Sequence, residues 1–250
     1  MPTEEVIYNS VISALGANRA LFLLKQKTKR RVFMKSHEVS TTKQTTLKLT
    51  VCAAMVGMST VLSFIKFAEL PYGGSVTLFS FVPLLFAGYA FGWKWGIGSG
   101  IVYGVLQTIF GISGAIAGAG FKAWQVILCA LLDYIVAGAM LGFAGTFRKV
   151  IKNHQFSIAV GTVFACLLKL LSHFFSGYIL FGGWAEWYFT EDAGAAYGAK
   201  ILEVFSGNAL SAIYSLIYNS SFMIPEMIIS VIMAVIIISV KPIRKVCDVK

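Results

Sequence analysis

Long runs of apolar residues recur along most of the chain, and they constrain its fold more than any other feature. A helix needs roughly 20 such residues to cross about 30 Å of hydrocarbon. Bounding the runs by charges, glycine and proline gives six candidate spans, at about 46–67, 78–92, 95–112, 124–147, 157–182 and 213–240. Charged residues make up 13% of the chain, against roughly a quarter in soluble domains. The sequence therefore predicts an all-α integral membrane protein with six transmembrane helices.

The second and third runs are short and share the sequence FGWKWG, residues 91–96. We favour two helices that are joined by a tight turn at this point. The alternative is one long helix with a kink there.

Basic residues indicate the orientation of the helices, because Lys and Arg in short loops are retained in the cytoplasm. Nine of the 21 lie before residue 49, three lie in the loop RKVIK and four in the tail KPIRKVCDVK. Both termini are therefore predicted to be cytoplasmic, in a multi-pass membrane protein. Basic residues that are dispersed over turns flanking the lipid bilayer do not favour a nucleic-acid partner.

Residues 1–45 are predicted to be a cytoplasmic leader, and residues 46–245 the membrane domain. The leader holds an apolar stretch followed by a basic cluster, which is the reverse of a signal peptide, and the stretch is too short to span. Two interpretations remain open. The leader forms an amphipathic helix on the membrane surface, or the natural start is Met34, which leads directly into the first span.

Four ionisable residues lie inside the predicted spans: Asp133, Lys169, His173 and Glu226. Each costs roughly 2.5–3.5 kcal/mol at the middle of a membrane helix, so each needs a partner or a function. Lys66 lies at the end of the first predicted span, where its long side chain is expected to reach the membrane surface.

Asp133 is surrounded in sequence by apolar residues and has two interpretations. It could form an ion pair with Lys169, or it could anchor a cationic or hydrogen-bonding substrate. His173 follows Lys169 by four residues, so the two side chains are expected on one helix face. We interpret His173 as a ligand contact, because other polar segments are predicted at a similar depth.

The last span supplies further polar groups near its outer end. Tyr214 and Asn219 offer phenol and amide groups that donate and accept hydrogen bonds. Glu226, two turns deeper on the same face, could line the same cavity or bond to a neighbouring helix. The outer loops are rich in glycine and in aromatic residues, whose ring faces attract cations. These features predict a pocket below the outer surface, with Asp133, His173 and Asn219 at its floor.

The sequence carries no recognisable catalytic or metal-binding motif. It holds no GxxxxGK[ST], HExxH or GxSxG sequence, and its four cysteines form neither a CxxC motif nor a Cys/His pair. We therefore predict a protein that binds a ligand from outside the cell, without catalysis and without a metal site.

Four segments, read in order, resemble a known family: VTLFSFVPLLFAGYAFGWKWGIGSGIVYGVLQ, LLDYIVAGAMLGFAGTFR, LLKLLSHFFSGYILF and YSLIYNSSFMIPE. They are similar to the thiamine-specific ThiT/YuaJ family, which belongs to the substrate-binding S components of energy-coupling factor (ECF) vitamin transporters. The resemblance covers about residues 46–245. It implies an S-component-like bundle of six helices in a bacterial cell membrane, with an outward-facing pocket for thiamine.

The resemblance implies roles for individual residues. The acidic residue that faces the thiazolium ring of the ligand falls on Asp133, and the histidine of the site falls on His173. The tyrosine and asparagine of the sixth helix fall on Tyr214 and Asn219. Lys169 is included in the predicted ligand site as the neighbour of His173.

The resemblance also points to aromatic residues and to a lid. A tryptophan that stacks on the ligand has its nearest equivalent at Phe181, and Trp184 lies a little beyond, so both are candidates. The loop between the first two helices acts as a lid in the family, which here points to Tyr72. The loop at about 184–210 is longer than in the family and has no assigned role.

Protein partners are implied by the family as well. The first helix of S components packs on a transmembrane coupling subunit through small residues four apart, which here are Ala53 and Gly57; small residues at this spacing let helices approach closely in lipid. Two ATPase subunits hydrolyse ATP and act through the coupling subunit. No cofactor is expected besides the ligand thiamine itself.

The predicted function is high-affinity thiamine binding for an ATP-driven uptake transporter. One alternative is an S component for another vitamin or precursor. Another is a stand-alone proton-coupled carrier with Asp133, Glu226, Lys169 and His173 as a relay. An intramembrane enzyme is the least favoured function, because no pair of nucleophile and base is evident.

Overall fold

The computed structural model describes Gln26 and residues 42–70, 74–116, 119–192 and 195–248. The chain divides into two units, Met1–Leu49 and Thr50–Lys250. The first unit is described only at Gln26 and from residue 42, so both interpretations of the leader stay predictions. The candidate site lies in the second unit.

Helices make up most of the described chain. In order they are α1 (Thr42–Ser63), α2 (Val82–Phe91), α3 (Trp93–Ile116), α4 (Ala123–Gly145), α5 (His154–Glu191), α6 (Ala195–Val204), α7 (Gly207–Ser239) and α8 (Lys241–Asp248). Within the described ranges, five helices are long and apolar enough to cross a membrane, and α2 is a shorter apolar helix of 10 residues. The predicted all-α fold with six membrane helices is confirmed. The cytoplasmic location of both termini stays a prediction from the basic loops.

The helices α5 and α7 are longer than the apolar runs that predicted them. They contain 38 and 33 residues, or about 57 Å and 50 Å at a rise of about 1.5 Å per residue. The hydrocarbon is only about 30 Å thick, so both helices extend beyond it. Near its outer end α5 also changes its winding, with a π-helical turn at Gly177–Phe181 and a 3-10 turn at Gly182–Trp184.

The sequence FGWKWG forms a turn between two helices, and the alternative of one kinked helix is wrong. Gly92 separates α2 from α3 with φ 91° and ψ 166°. Residues with a side chain rarely adopt this backbone conformation, whereas glycine does so at little cost. The chain therefore reverses within one residue at this point.

A small antiparallel hairpin joins α1 to α2, and the sequence did not predict it. Its strands are β1 (Lys66–Glu69) and β2 (Ser75–Thr77). The helix α1 ends at Ser63, so the prediction that the first span reaches Lys66 is wrong. Lys66 lies in β1, where its Nζ is 2.6 Å from Oε1 of Glu69. We call these two strands, together with Leu70 and Gly74, the first hairpin.

Glycines hold α2, α3 and α4 in backbone contact. A Cβ atom on Gly100 of α3 would overlap the carbonyl oxygen of Gly138 in α4, and one on Gly142 would overlap the backbone at Ile97. Gly88 of α2 faces the carbonyl of Gly142 in the same way. Helices in lipid associate through such close packing, because lipid provides no hydrophobic driving force between them.

This contact predicts the effect of adding one methyl group. Gly100→Ala should lower the free energy of unfolding of the detergent-solubilised protein by about 1–3 kcal/mol, and with it the melting temperature, because rigid backbone atoms must move apart. Gly98→Ala is a matched control in the same helix, since a Cβ there meets no atom within 4 Å. Thermal unfolding followed by circular dichroism would compare the two variants. Equal melting temperatures would contradict the prediction.

Candidate functional site

A cavity of about 540 Å³ lies among the first hairpin and the helices α3, α4, α5 and α7. Its size falls in the range of small-molecule sites, which is about 300–1,000 Å³. Most of the lining consists of polar or aromatic side chains: Ser63, Lys66, Glu69, Ser75, Thr77, Ser80, Phe81, Tyr103, Gln107, Phe110, Ser113, Asp133, Tyr134, Lys169, His173, Phe181, Tyr214, Tyr218, Asn219 and Phe222. A mixed lining of this kind suits a ligand with flat rings and several hydrogen-bonding groups.

Asp133 lies where α4 departs from regular α-helical winding. Residues Ala130–Val136 form a π-helical segment, a feature that is often found at functional sites. One carboxylate oxygen, Oδ1, is 2.9 Å from Nδ1 of His173 on α5. The other, Oδ2, accepts a hydrogen bond from the hydroxyl of Ser176, one turn further along α5. The carboxylate of Asp133 thus joins α4 to α5 at the edge of the cavity.

Lys169 does not act as the ion-pair partner of Asp133. The salt bridge of Asp133 within the described chain is to His173. The Nζ atom of Lys169 lies 4.9 Å from the ring centroid of Phe81, in a cation–π contact. Lys169 is 7% exposed and lines the cavity. The cavity therefore contains a carboxylate and an ammonium group that are paired with different neighbours.

His173 presents one ring nitrogen for which the described residues offer no partner. Nδ1 faces Asp133, while Nε2 is buried and has no hydrogen bond to any described residue. In the neutral ring, a proton on Nδ1 directed at the carboxylate leaves Nε2 as an acceptor. An unsatisfied buried polar atom costs about 1–3 kcal/mol. A ligand that donates an N–H or O–H to Nε2 would remove this cost.

Asn219 is oriented by the backbone of both α5 and α7. Its Nδ2 donates to the carbonyl oxygens of Ser215, at 2.8 Å, and of His173, at 3.2 Å. Two carbonyl acceptors fix the nitrogen on that side of the amide, so the Oδ1 atom lies on the other side. Gly177 allows this approach, because a side chain there would collide with Ser215 and Asn219.

The aromatic candidates occupy different places. Phe181 lines the cavity and packs against Phe121 with ring centroids 5.1 Å apart. Trp184 is not part of the lining, and its ring lies 6.4 Å from that of Trp187. Tyr214 lines the cavity, whereas Tyr72 lies outside the described residues. The structure thus brings Asp133, Lys169, His173, Phe181, Tyr214 and Asn219 to one cavity, and their ligand-binding roles remain predictions.

The residues predicted to bind a partner lie on the outer surface of α1. Ala53 and Gly57 are both exposed, and a Cβ on Gly57 would meet no atom within 4 Å. Their neighbours Met58 and Val61 are 54% and 63% exposed. This face is apolar and exposed within the described chain, and its role stays a prediction.

Glu226 is bound to the first hairpin and does not line the cavity. Its Oε2 accepts the backbone N–H of Thr77 at 2.6 Å, and its Oε1 accepts the hydroxyl of Thr77 at 2.8 Å. The same hydroxyl lies 2.6 Å from that of Ser80. Of the two interpretations, bonding to a neighbouring segment holds, although the partner is a strand and not a helix. The fully buried carboxylate anchors β2 to α7.

This anchor predicts a local effect of one substitution. Glu226→Gln removes an acceptor oxygen and places an amide donor near the donors of Thr77, so the hairpin should open more often. Hydrogen–deuterium exchange should rise in peptides that contain Thr77, with Glu186→Gln on the exposed face of α5 as the control. Unchanged exchange at Thr77 would show that the carboxylate does not hold the strand.

Sequence reasoning missed several lining residues, and Gln107 gave the clearest signal. Its amide lies within an apolar run and donates from Nε2 to the hydroxyl of Ser63 at 2.6 Å. An amide in that position is costly without partners, as for the ionisable residues. Lys66 and Glu69 also reach the cavity, but only the unpredicted hairpin places them there.

Comparisons with known proteins agree with the architecture. The family model "Thiamine transporter protein (Thia_YuaJ)" matches residues 49–187. The "Thiamine transporter ThiT" of Bacillus subtilis (strain 168) is 27% identical over 207 residues, which are 78% of this chain and 92% of that protein. A solved structure of ThiT from Listeria monocytogenes aligns with a TM-score of 0.60 at 16% identity, over 82% of this chain and 98% of that one. At this identity the solved structure supports the fold alone.

Proposed function

The chain belongs to the thiamine transporter (Thia_YuaJ) family, and from this membership and the cavity we propose that it binds thiamine with high affinity from outside the cell. The observation that carries the proposal is the cluster of Asp133, His173 and Asn219 at one cavity, with Nε2 of His173 left without a described partner. The protein itself is a multi-pass membrane component of transport.

The chemistry of thiamine matches the groups in the cavity. Thiamine is a permanent cation with a thiazolium ring and a flat aminopyrimidine. The carboxylate of Asp133 would face the thiazolium charge, and a charge-assisted contact of this kind is stronger than a neutral one. Nε2 of His173 and Oδ1 of Asn219 would accept hydrogen bonds from the amino group. Phe181 would stack on the pyrimidine, since flat rings attract each other in offset stacks.

Lys169 fits the same ligand as a donor. Its ammonium group lines the cavity and makes a cation–π contact with the ring of Phe81 on one side. A pyrimidine nitrogen is a hydrogen-bond acceptor, so Lys169 could donate to the neutral ring while Asp133 faces the cationic one. The two opposite charges would then orient the ligand within the cavity.

Coupling to ATP hydrolysis would come from other proteins. We propose that the chain is the S component of an ECF transporter and docks on a transmembrane coupling subunit through Ala53 and Gly57 of α1. Two ATPase subunits would drive the cycle, and this chain would contribute no catalysis. The exposed apolar face around these residues supports the docking site.

The alternative of a proton-coupled carrier has less support. A relay through Asp133, Lys169, His173 and Glu226 needs all four groups along one path. Glu226 is fully buried, bound to Thr77 and outside the cavity lining.

Binding is tested by titrating the purified, ligand-free protein with thiamine while following tryptophan fluorescence. Saturable quenching at submicromolar thiamine is expected. Asp133→Asn keeps an acceptor for His173 but removes the charge, and should weaken binding by about 1–3 kcal/mol, or about 5- to 150-fold in Kd. Glu186→Gln is the control. An Asp133→Asn variant that binds thiamine as tightly as the wild type would show that the carboxylate does not contact the ligand. A response only to another vitamin would show that thiamine is not the ligand.

Docking is tested separately from binding. Ala53→Trp should leave the Kd for thiamine unchanged but abolish ATP-driven uptake in vesicles that contain the coupling subunit and the ATPases. Ala54→Trp is the control, since it is also exposed on α1 but lies about 100° around the helix. Loss of thiamine binding in a folded Ala53→Trp variant, or equal uptake by both variants, would contradict the docking role.

A further inference from the structure

Tyr188 lies near the outer end of α5, in the segment Ala185–Glu191. This segment belongs to the long loop region to which the sequence assigned no role. The side chain of Tyr188 is only 3% exposed, although the helix ends three residues later. A tyrosine that is buried this deeply needs apolar contacts for its ring and a polar partner for its hydroxyl.

Two serines of α7 join the outer part of α5 to α7 before the chain reaches Tyr188. The hydroxyl of Ser215 donates to the carbonyl oxygen of Phe174 at 2.7 Å. Nearer the end of α5, the hydroxyl of Ser211 donates to the carbonyl oxygen of Gly182 at 3.2 Å. A side chain at Gly182 would collide with Ser211. The position of Tyr188 relative to α7 is therefore fixed by two hydrogen bonds and a close backbone approach.

The ring of Tyr188 packs on two tyrosines of α7 that line the cavity. Its centroid lies 5.2 Å from that of Tyr214, with an interplanar angle of 65°. It lies 6.0 Å from that of Tyr218, with an angle of 79°. Both are edge-to-face arrangements, which aromatic pairs prefer. Tyr188 is not among the described lining residues, so it forms a second layer behind the cavity wall.

The helix α6 holds Tyr188 from its hydroxyl end. This hydroxyl lies 3.4 Å from that of Tyr197 in α6. The next residue, Gly198, lets α6 approach closely, because a Cβ there would overlap the carbonyl oxygen of Phe189. The rings of Tyr197 and Phe189 also pack together, with centroids 6.1 Å apart. Tyr188 is thus contacted by α6 at its hydroxyl and by α7 at its ring.

Tyr214 is the wall residue that Tyr188 approaches most closely. It is 2% exposed and lines the cavity. The ring of Tyr188 lies nearer to it than the ring of Tyr218, which is 5.8 Å away. Two side-chain torsions set the direction of a tyrosine ring and hence the place of its hydroxyl. Packing against Tyr188 therefore restricts where the phenol of Tyr214 can point.

We propose that Tyr188 is a positioning residue, which holds the ring of Tyr214 in one orientation at the cavity wall and thereby raises the affinity for the ligand. Tyr188 acts through Tyr214, since it does not itself line the cavity. The effect on ligand affinity rests on the proposed function, with thiamine as the ligand. The positioning of Tyr214 depends only on contacts within the protein.

The first test measures the Kd for thiamine by isothermal titration calorimetry of the purified, ligand-free protein. Tyr188→Leu removes the ring and should raise the Kd about 2- to 10-fold, the range expected for the loss of one aromatic pair. Tyr188→Phe keeps the ring and should bind thiamine nearly as tightly as the wild type. Tyr178→Leu is the matched control, because it removes a tyrosine of the same helix whose ring stacks on Phe174.

A double variant tests whether Tyr188 acts through Tyr214. Tyr188→Leu should change the Kd little once Tyr214→Leu has removed the ring that Tyr188 positions, because coupled residues do not contribute independently. Effects of the two substitutions that simply multiply would contradict this route.

The second test needs no ligand. A fluorinated tyrosine at position 214 reports the orientation of that ring by fluorine NMR of the apo protein. Tyr188→Phe and Tyr178→Leu should give as many resonances as the wild type, with similar widths. Tyr188→Leu should give additional or broadened resonances, because the ring at position 214 then occupies more than one orientation.

The two tests separate this inference from the proposed ligand. If the wild-type protein does not bind thiamine, the proposed ligand is wrong, and the fluorine spectra alone decide the positioning role. Spectra of Tyr188→Leu with the number and width of resonances unchanged would overturn that role. Thiamine binding with the same Kd in Tyr188→Leu and the wild type would overturn the inference and leave the proposed function intact.

Discussion

Backbone contact between α3 and α4 through facing glycines sets the position of everything on the outer side of the bundle. Gly100 faces the carbonyl of Gly138, and Gly142 faces the backbone at Ile97. In lipid, close packing of the two backbones drives helix association, because hydrophobic burial provides no driving force there. It fixes the rotation and height of α4, and hence the direction of Asp133. The π-helical segment Ala130–Val136, which contains Asp133, lies just before Gly138 in the chain.

The polar groups of the cavity satisfy one another in part. The carboxylate of Asp133 forms a hydrogen bond with Nδ1 of His173. The amide nitrogen of Asn219 donates to two backbone carbonyl oxygens. Each pairing fixes the orientation of a side chain that lines the cavity. A preformed site of this kind needs little reorganisation on binding, because the first partner already fixes each rotamer.

Some of this arrangement was predictable from the sequence and some was not. The apolar runs predicted the six helices, and the cost of polar groups in lipid singled out Asp133, His173 and Asn219, which do meet. The short strands of the first hairpin gave no periodic signal, so Lys66 was misplaced. The partner of Glu226 is Thr77, far away in sequence and on an unpredicted element. Phe181 and Trp184 could not be separated either, because the turn at Gly182–Trp184 redirects the chain between them.

The anchor at Thr77 limits how the cavity can exchange its contents. Glu226 holds the hairpin at Thr77, and Gly74 bonds to Tyr218, so α7 contacts the hairpin at two points three residues apart. The strand β1 pairs with β2 next to this segment, so both strands are held against the same helix, α7. Separation of the hairpin from the cavity would therefore break contacts to one helix and leave the contacts among the other helices intact.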